Sequence, residues 1–135
     1  MADRNAIEQL FSDYGWPMDS REFEVLGDTF TKDADFTIAI TDGDTIGPID
    51  GRDAIVEFCS STVHEQTDQR RHVITNVRIG SETETEADVT AILTLIVVAD
   101  GELNVKSSGL YRTRAVLDGD RWRFASMHLT LDLPF

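Results

Sequence analysis

Three histidines, one cysteine and 25 acidic residues are the groups with which proton-transfer or metal chemistry could be built in this 135-residue chain. His64, His72 and His128 are scattered, and there is no His-x-x-x-His helix pair, Gly-rich phosphate loop, Gly-x-Ser-x-Gly elbow or Cys-x-x-Cys. A histidine metal site would have to draw its ligands from distant positions, so no metal is expected. Without a phosphate loop, nucleotide chemistry is not expected either. His72 lies in Arg70-Arg71-His72-Val73-Ile74-Thr75-Asn76-Val77-Arg78, which reads as a strand. On a two-residue period His72, Ile74 and Asn76 share one face, and Val73, Thr75 and Val77 the other. A His and an Asn flanking Ile can line a mixed apolar pocket. A half-buried histidine satisfied by a backbone or carboxylate partner fits the same spacing. Asp19 follows Pro17 closely, and both an N-cap for a second helix and an inward-facing acid are open to it, because the proline disturbs the helical phase. His64 beside Glu65 reads as a solvated helix end. His128 shares strand parity with Trp122 and Phe124 and reads as a core or interface residue. Cys59, with no base near it in sequence, reads as an inert core thiol.

The elements that must position these groups follow from hydrophobic periodicity. Ile7, Leu10, Phe11, Tyr14 and Met18 form one helical stripe with Asp3 as N-cap, and Pro17 predicts a kink or an end near residues 15–17. A second helix is predicted over Arg21–Phe30. Phe36, Ile38 and Ile40 alternate as a strand, and Asp42-Gly43 reads as a hairpin turn. Asp50 reads as the N-cap of a helix that places Ile55, Phe58, Cys59 and Val63 on one face. Long strands are predicted over Arg70–Ile79, Ala87–Val98, Leu103–Leu117 and Arg121–Leu133, with turns at Asp100-Gly101 and Asp118-Gly119. Helices first and a strand meander afterwards mean an α+β fold, with helices on one face of a mostly antiparallel sheet. The segment Val89–Val98 is apolar on both faces. It is therefore predicted to be central, with its second face covered by a subunit partner.

Composition narrows the function classes. A chain that is 41% hydrophobic and 27% charged is that of one folded domain, residues 1–135. The net charge of -13 argues against nucleic acid and against a polybasic membrane anchor, and favours small, neutral or cationic partners. The start Met1-Ala2-Asp3-Arg4-Asn5 shows no basic segment followed by an apolar stretch, and the apolar run Leu95–Ala99 is far too short to span a bilayer. A soluble, cytoplasmic protein is expected.

The pattern as a whole resembles the SnoaL-like proteins of the nuclear transport factor 2 superfamily. The resemblance is carried by the N-terminal helix with Tyr14, Met18 and Asp19, and by the segment Phe30-Thr31-Lys32-Asp33-Ala34-Asp35-Phe36. The entry Gly47-Pro48-Ile49-Asp50-Gly51-Arg52-Asp53, the Arg71–Val77 strand and the closing Asp118-Gly119-Asp120-Arg121-Trp122-Arg123-Phe124 add to it. It implies a cone-shaped α+β barrel in which three helices pack on a strongly curved sheet around a deep pocket. The branch it is most similar to holds scytalone dehydratase and hexachlorocyclohexane dehydrochlorinase, which eliminate water or HCl without a cofactor by means of a histidine held by an aspartate. The matching positions here are His72 and Asp19. A neutral imidazole takes a proton near pH 7, and a carboxylate on its far nitrogen fixes the tautomer. Tyr14, Asn76, Tyr111, Cys59, Val63, Leu93, Met127, Leu129 and Leu131 are expected to line the pocket. Two positions depart from scytalone dehydratase: Leu93 stands where a second histidine would be, and Met18 where a tyrosine would be.

The function expected is therefore cofactor-independent elimination on a small, largely apolar, cyclic substrate. Isomerisation or polyketide-type cyclisation would use the same base. A non-catalytic ligand-binding module and a structural subunit of a larger oxygenase are the other readings. A homo-oligomer, dimer or trimer, is expected.

Overall fold

The computed structural model describes residues Met1–Phe135. Helix α1 (Arg4–Ser20) is set by its apolar stripe, of which Ile7, Leu10, Phe11 and Tyr14 are buried, and by Asp3, whose carboxylate accepts the Ala6 N–H at 3.1 Å. The expected break at residues 15–17 does not occur, and the helix runs through Pro17. Pro17 stands so near the end that its missing N–H costs one bond in the final turns. The helix stops at Arg21, whose left-handed backbone (φ 62°) lets the Glu22 N–H return to the Pro17 carbonyl at 3.0 Å.

The second helix is shorter than its predicted span. Helix α2 covers only Phe23–Leu26, a 3-10 turn follows over Gly27–Thr29, and Phe30 already opens β1 (Phe30–Ile40). The buried Thr29 hydroxyl donates to the Leu26 carbonyl at 2.7 Å, offering the backbone an alternative to further helix. Glu22, not Asp19, precedes α2. The Asp42-Gly43 turn leads into a strand to which the sequence reading gave no span, β2 (Thr45–Asp50); it is an edge strand, where proline is tolerated. Helix α3 (Arg52–His64) buries Ile55, Cys59 and Val63, and its N-cap is Gly51 at φ 95° rather than Asp50.

The long strands β3 (Gln69–Glu82), β4 (Glu86–Ala99), β5 (Glu102–Asp118) and β6 (Arg121–Leu131) complete one curved six-stranded sheet in the order β2-β1-β6-β5-β4-β3. Every neighbouring pair is antiparallel except β1 and β6. The three helices pack on its inner face, α1 against β3 and α3 against β1, and 24 buried residues form one core cluster. No helix is long and apolar enough to cross a membrane.

Bulges decide which side chains enter that core. The β5–β6 register slips between Arg114↔Ser126 and Ala115↔Phe124, so Ala125 is an extra residue on β6. Trp122 and Phe124 on one side of it, and Met127, Leu129 and Leu131 on the other, therefore all point inward. His128 is thereby moved to the outer face and is exposed, so it is not a core residue. Strand β4 is interior to the sheet, second from the β3 edge rather than central. Its inward side chains Val89, Ala91, Leu93 and Leu95 are buried, whereas Ile92 on the outer face is exposed. Val73, Val98, Leu103 and Val105 are exposed beside it, the last two at 67% and 65%.

Candidate active site

The meeting of α1 with β3 creates the site. Gly15 is buried, and a Cβ there would stand 3.3 Å from Ile74 Cδ1 and 3.5 Å from His72 Cβ, so its bare backbone lets the helix close on the strand at His72. Asp19 follows one turn later. Its carboxylate accepts the His72 backbone N–H through both oxygens, at 2.9 and 3.1 Å, and its Oδ1 stands 2.6 Å from His72 Nδ1. Both side chains are nearly buried, 11% exposed for His72 and 13% for Asp19.

An acid in the last turn of a helix faces the negative end of the dipole. Asp19 is held there by these donors. An ionised carboxylate only accepts hydrogen bonds, so the neutral imidazole beside it carries its proton on Nδ1 and keeps a free lone pair on Nε2. No protein group bonds Nε2, and His72 lines a cavity. The ring is steadied by Tyr14, edge-on at 6.3 Å between centroids. Tyr14 in turn packs against Phe30, Tyr111 and Phe124.

The cavity is narrow. Its empty space is about 570 Å³ with the open mouth included, but only about 50 Å³ admits the centre of a water molecule. The walls are Tyr14 and Met18 from α1, Phe36 and Ile38 from β1, and Phe58, Cys59, Thr62 and Val63 from α3. Leu93 and Leu95 from β4, Leu129 and Leu131 from β6, and Phe135 complete the apolar surface, while Gln66, Arg70 and His72 supply polar groups. The chain after β6 is fastened by Ser107, whose hydroxyl donates to the Leu133 carbonyl at 2.7 Å, and this brings Phe135 to the cavity.

Of the expected lining residues, Tyr14, Cys59, Val63, Leu93, Leu129 and Leu131 thus surround His72. Tyr111 and Met127 are fully buried in the core and do not reach the cavity wall. The Tyr111 hydroxyl meets that of Tyr14 at 3.5 Å. Asn76 does not join the site. Its backbone is left-handed (φ 56°) at a bulge between Thr75 and Arg78, and its side chain is exposed. Asparagine tolerates that conformation, and the extra residue turns Val77 and Ile79 inward in its place. Sequence reading passed over Phe36, Ile38, Phe58, Thr62, Gln66, Leu95, Phe135 and above all Arg70, although strand parity with His72 was the available signal for Arg70. His64 is an exposed helix end with Nδ1 2.7 Å from the Ser60 carbonyl oxygen. No cluster of three His, Cys, Asp or Glu side chains is placed to hold a metal ion.

Burial around the site favours neutral acids. Desolvation pushes the Cys59 thiol from 9.0 up to about 12. It also lifts both phenols well above 10.0, with repulsion from Tyr111 adding to the effect at Tyr14 and the hydrogen bond between the two hydroxyls opposing it at Tyr111. The unfolded chain releases these protons at their ordinary values, so stability is unaffected below about pH 9 and falls as pH rises beyond it. Tyr14 and Tyr111 are the only tyrosines. Phenolate absorbance should therefore stay absent between about pH 10 and 11 while the fold persists, and then appear together with alkaline unfolding. Phenolate forming in that range with the circular dichroism of the native state unchanged would contradict this burial.

A family model described as SnoaL-like domain matches residues 1–128. No curated protein matches the chain closely. Among solved structures, the β subunit of a candidate aromatic-ring-hydroxylating dioxygenase from Novosphingobium aromaticivorans superposes with a TM-score of 0.83 at 18% identity, covering 98% of this chain and 90% of that one. A candidate scytalone dehydratase from the same organism gives 0.75 at 22% identity, covering 96% and 83%. A Catenulispora acidiphila protein in complex with S-DNPA gives 0.80 at 25% identity, covering 94% and 91%.

Proposed function

The chain belongs to the SnoaL-like domain family, and from that membership we propose that it is a cofactor-independent enzyme in which His72, oriented by Asp19, acts as general base on a small cyclic substrate. The observation that carries the proposal is the 2.6 Å contact between Asp19 Oδ1 and His72 Nδ1, which leaves Nε2 without a protein partner on a residue that lines an apolar cavity. Elimination is the favoured reaction. Nε2 takes a proton from carbon, the C–H pair becomes the new C=C bond, and the leaving group departs with its own bonding pair. Where that group is hydroxide, the imidazolium returns the proton to it and water is lost. Asp19 stabilises the imidazolium through Nδ1–H, and the apolar walls keep bulk water from weakening that contact. Returning the proton to a different carbon gives isomerisation with the same parts.

The candidate scytalone dehydratase and the S-DNPA complex support a small-molecule occupant for this fold. The test is a set of cyclic β-hydroxy and β-halo ketones, followed by the ultraviolet absorbance of the conjugated enone. Enone formation by the wild-type protein is expected. Tight binding of the same ketones with no enone and no isomerised product would make the chain a binding module instead.

The exposed outer-face residues Val73, Ile92, Val98, Leu103 and Val105 support self-association through the sheet. Sedimentation at micromolar concentration is expected to give a dimer or trimer, and the double variant Ile92→Glu, Val105→Glu a monomer with wild-type circular dichroism. A monomeric wild-type protein would refute this assembly.

A further inference from the structure

Arg70 stands two residues before His72 on the inner face of β3, about 7 Å away along the strand, and it lines the same cavity. Asp68 occupies one edge of its guanidinium, with Nε at 3.0 Å from Oδ1 and Nη2 at 3.4 Å from Oδ2. The pair is largely buried, 12% exposed for Arg70 and 20% for Asp68. The remaining nitrogen, Nη1, is buried with no partner at all. Such a donor is costly to leave unpaired, and arginine cannot escape the cost by giving up its proton. The other polar cavity groups offer it nothing: Gln66, Thr62 and His72 make no bond to it.

We propose that Arg70 Nη1 is the recognition point for a ring oxygen that is anionic or becomes so during reaction, namely an enolate, phenolate or polarised ketone oxygen. This deepens the reading of the cavity as a substrate site and rests on it. Asp68 fixes the guanidinium through Nε and Nη2, so that Nη1 is held in place before the ligand arrives. With His72 Nε2 removing a proton from the carbon next to the carbonyl, the charge that develops on the oxygen meets Nη1 in a water-poor cavity, where a fixed donor is most effective. Both groups belong to residues that line one cavity. The substrate class is therefore a cyclic ketone, enol or phenol rather than an unfunctionalised hydrocarbon or halocarbon.

The experiment measures binding of 4-nitrophenol across pH, read by the colour of its anion, beside nitrobenzene as a neutral probe and benzoate as a carboxylate. The wild-type protein is expected to bind the phenolate at least tenfold more tightly than nitrobenzene, which lowers the pH at which bound nitrophenol ionises. Arg70→Met should abolish that preference while nitrobenzene affinity stays within about twofold, and Arg70→Lys should restore part of it. His72→Ala should keep the preference, which separates a failure here from a failure of the general-base reading. Equal affinity of the wild-type protein for phenolate and nitrobenzene would overturn the proposal, as would an Arg70→Met variant that retains the preference or loses nitrobenzene to the same degree. Benzoate bound more tightly than the phenolate would overturn the assigned oxygen class.

Discussion

His72→Ala is expected to lower kcat by about 10²- to 10⁴-fold, the range a positioned general base contributes, while substrate binding survives. Survival follows from the architecture. The cavity wall is mostly leucine, phenylalanine and valine from five other elements, so deleting one imidazole removes little apolar contact. The fold should survive too, because the backbone N–H of His72, not its ring, makes two of the three contacts with Asp19. Steady-state kinetics with the ketone panel and a parallel binding titration check both halves. A variant with near-wild-type turnover would remove His72 from the chemistry. A variant that neither folds nor binds would show instead that the ring is a packing element.

The second large effect is at Asp19, where two substitutions separate orientation from stability. In Asp19→Asn one amide oxygen remains to accept the His72 N–H, so stability should change by less than about 1 kcal/mol. The amide NH2 facing Nδ1 is a donor, however. It forces the imidazole proton onto Nε2 and turns the base away from its task. A loss of kcat on the order of 10²- to 10⁴-fold is expected, comparable to that of His72→Ala, as for orienting carboxylates in other His-based sites. Asp19→Ala removes the acceptor altogether and leaves the buried His72 N–H unpaired, which costs about 1–3 kcal/mol. Urea unfolding followed by tryptophan fluorescence should resolve the two. If Asp19→Asn retains turnover, the carboxylate is a helix-to-strand tie and nothing more. Full activity in Asp19→Ala would have the same meaning.

Most of the element pattern was legible because it rests on periodicity. The α1 stripe and the four long strands carry long runs of apolar spacing, and the strand ends lie within three residues of the predicted ones. The misplaced strand side chains share one cause: single residues that change phase. Asn76 and Ala125 are each one residue too many for their partner strands, and no two-residue count survives a bulge. That is how Asn76 left the site and His128 left the core. Pro17 was read as a breaker because its distance from the helix end depends on Arg21 adopting a left-handed conformation, which no local propensity announces. Strand β2, given no span from sequence, exists because β1 offers it an edge. The proximity of Asp19 and His72, 53 residues apart, came from resemblance and not from spacing, since no local pattern encodes a contact between a helix end and a distant strand.

The central claim is that Nε2 of His72 removes a proton from carbon, and solvent-deuterium wash-in tests it without requiring a leaving group. A cyclic ketone lacking a β substituent is incubated in D2O with the wild-type protein and with His72→Ala, and the ring protons beside the carbonyl are followed by NMR. Exchange is expected at those positions with the wild-type protein and should fall to the protein-free rate in the variant, with the ketone still bound. Exchange that is equal in the two proteins, or absent from the wild type while the ketone is bound, would contradict the account.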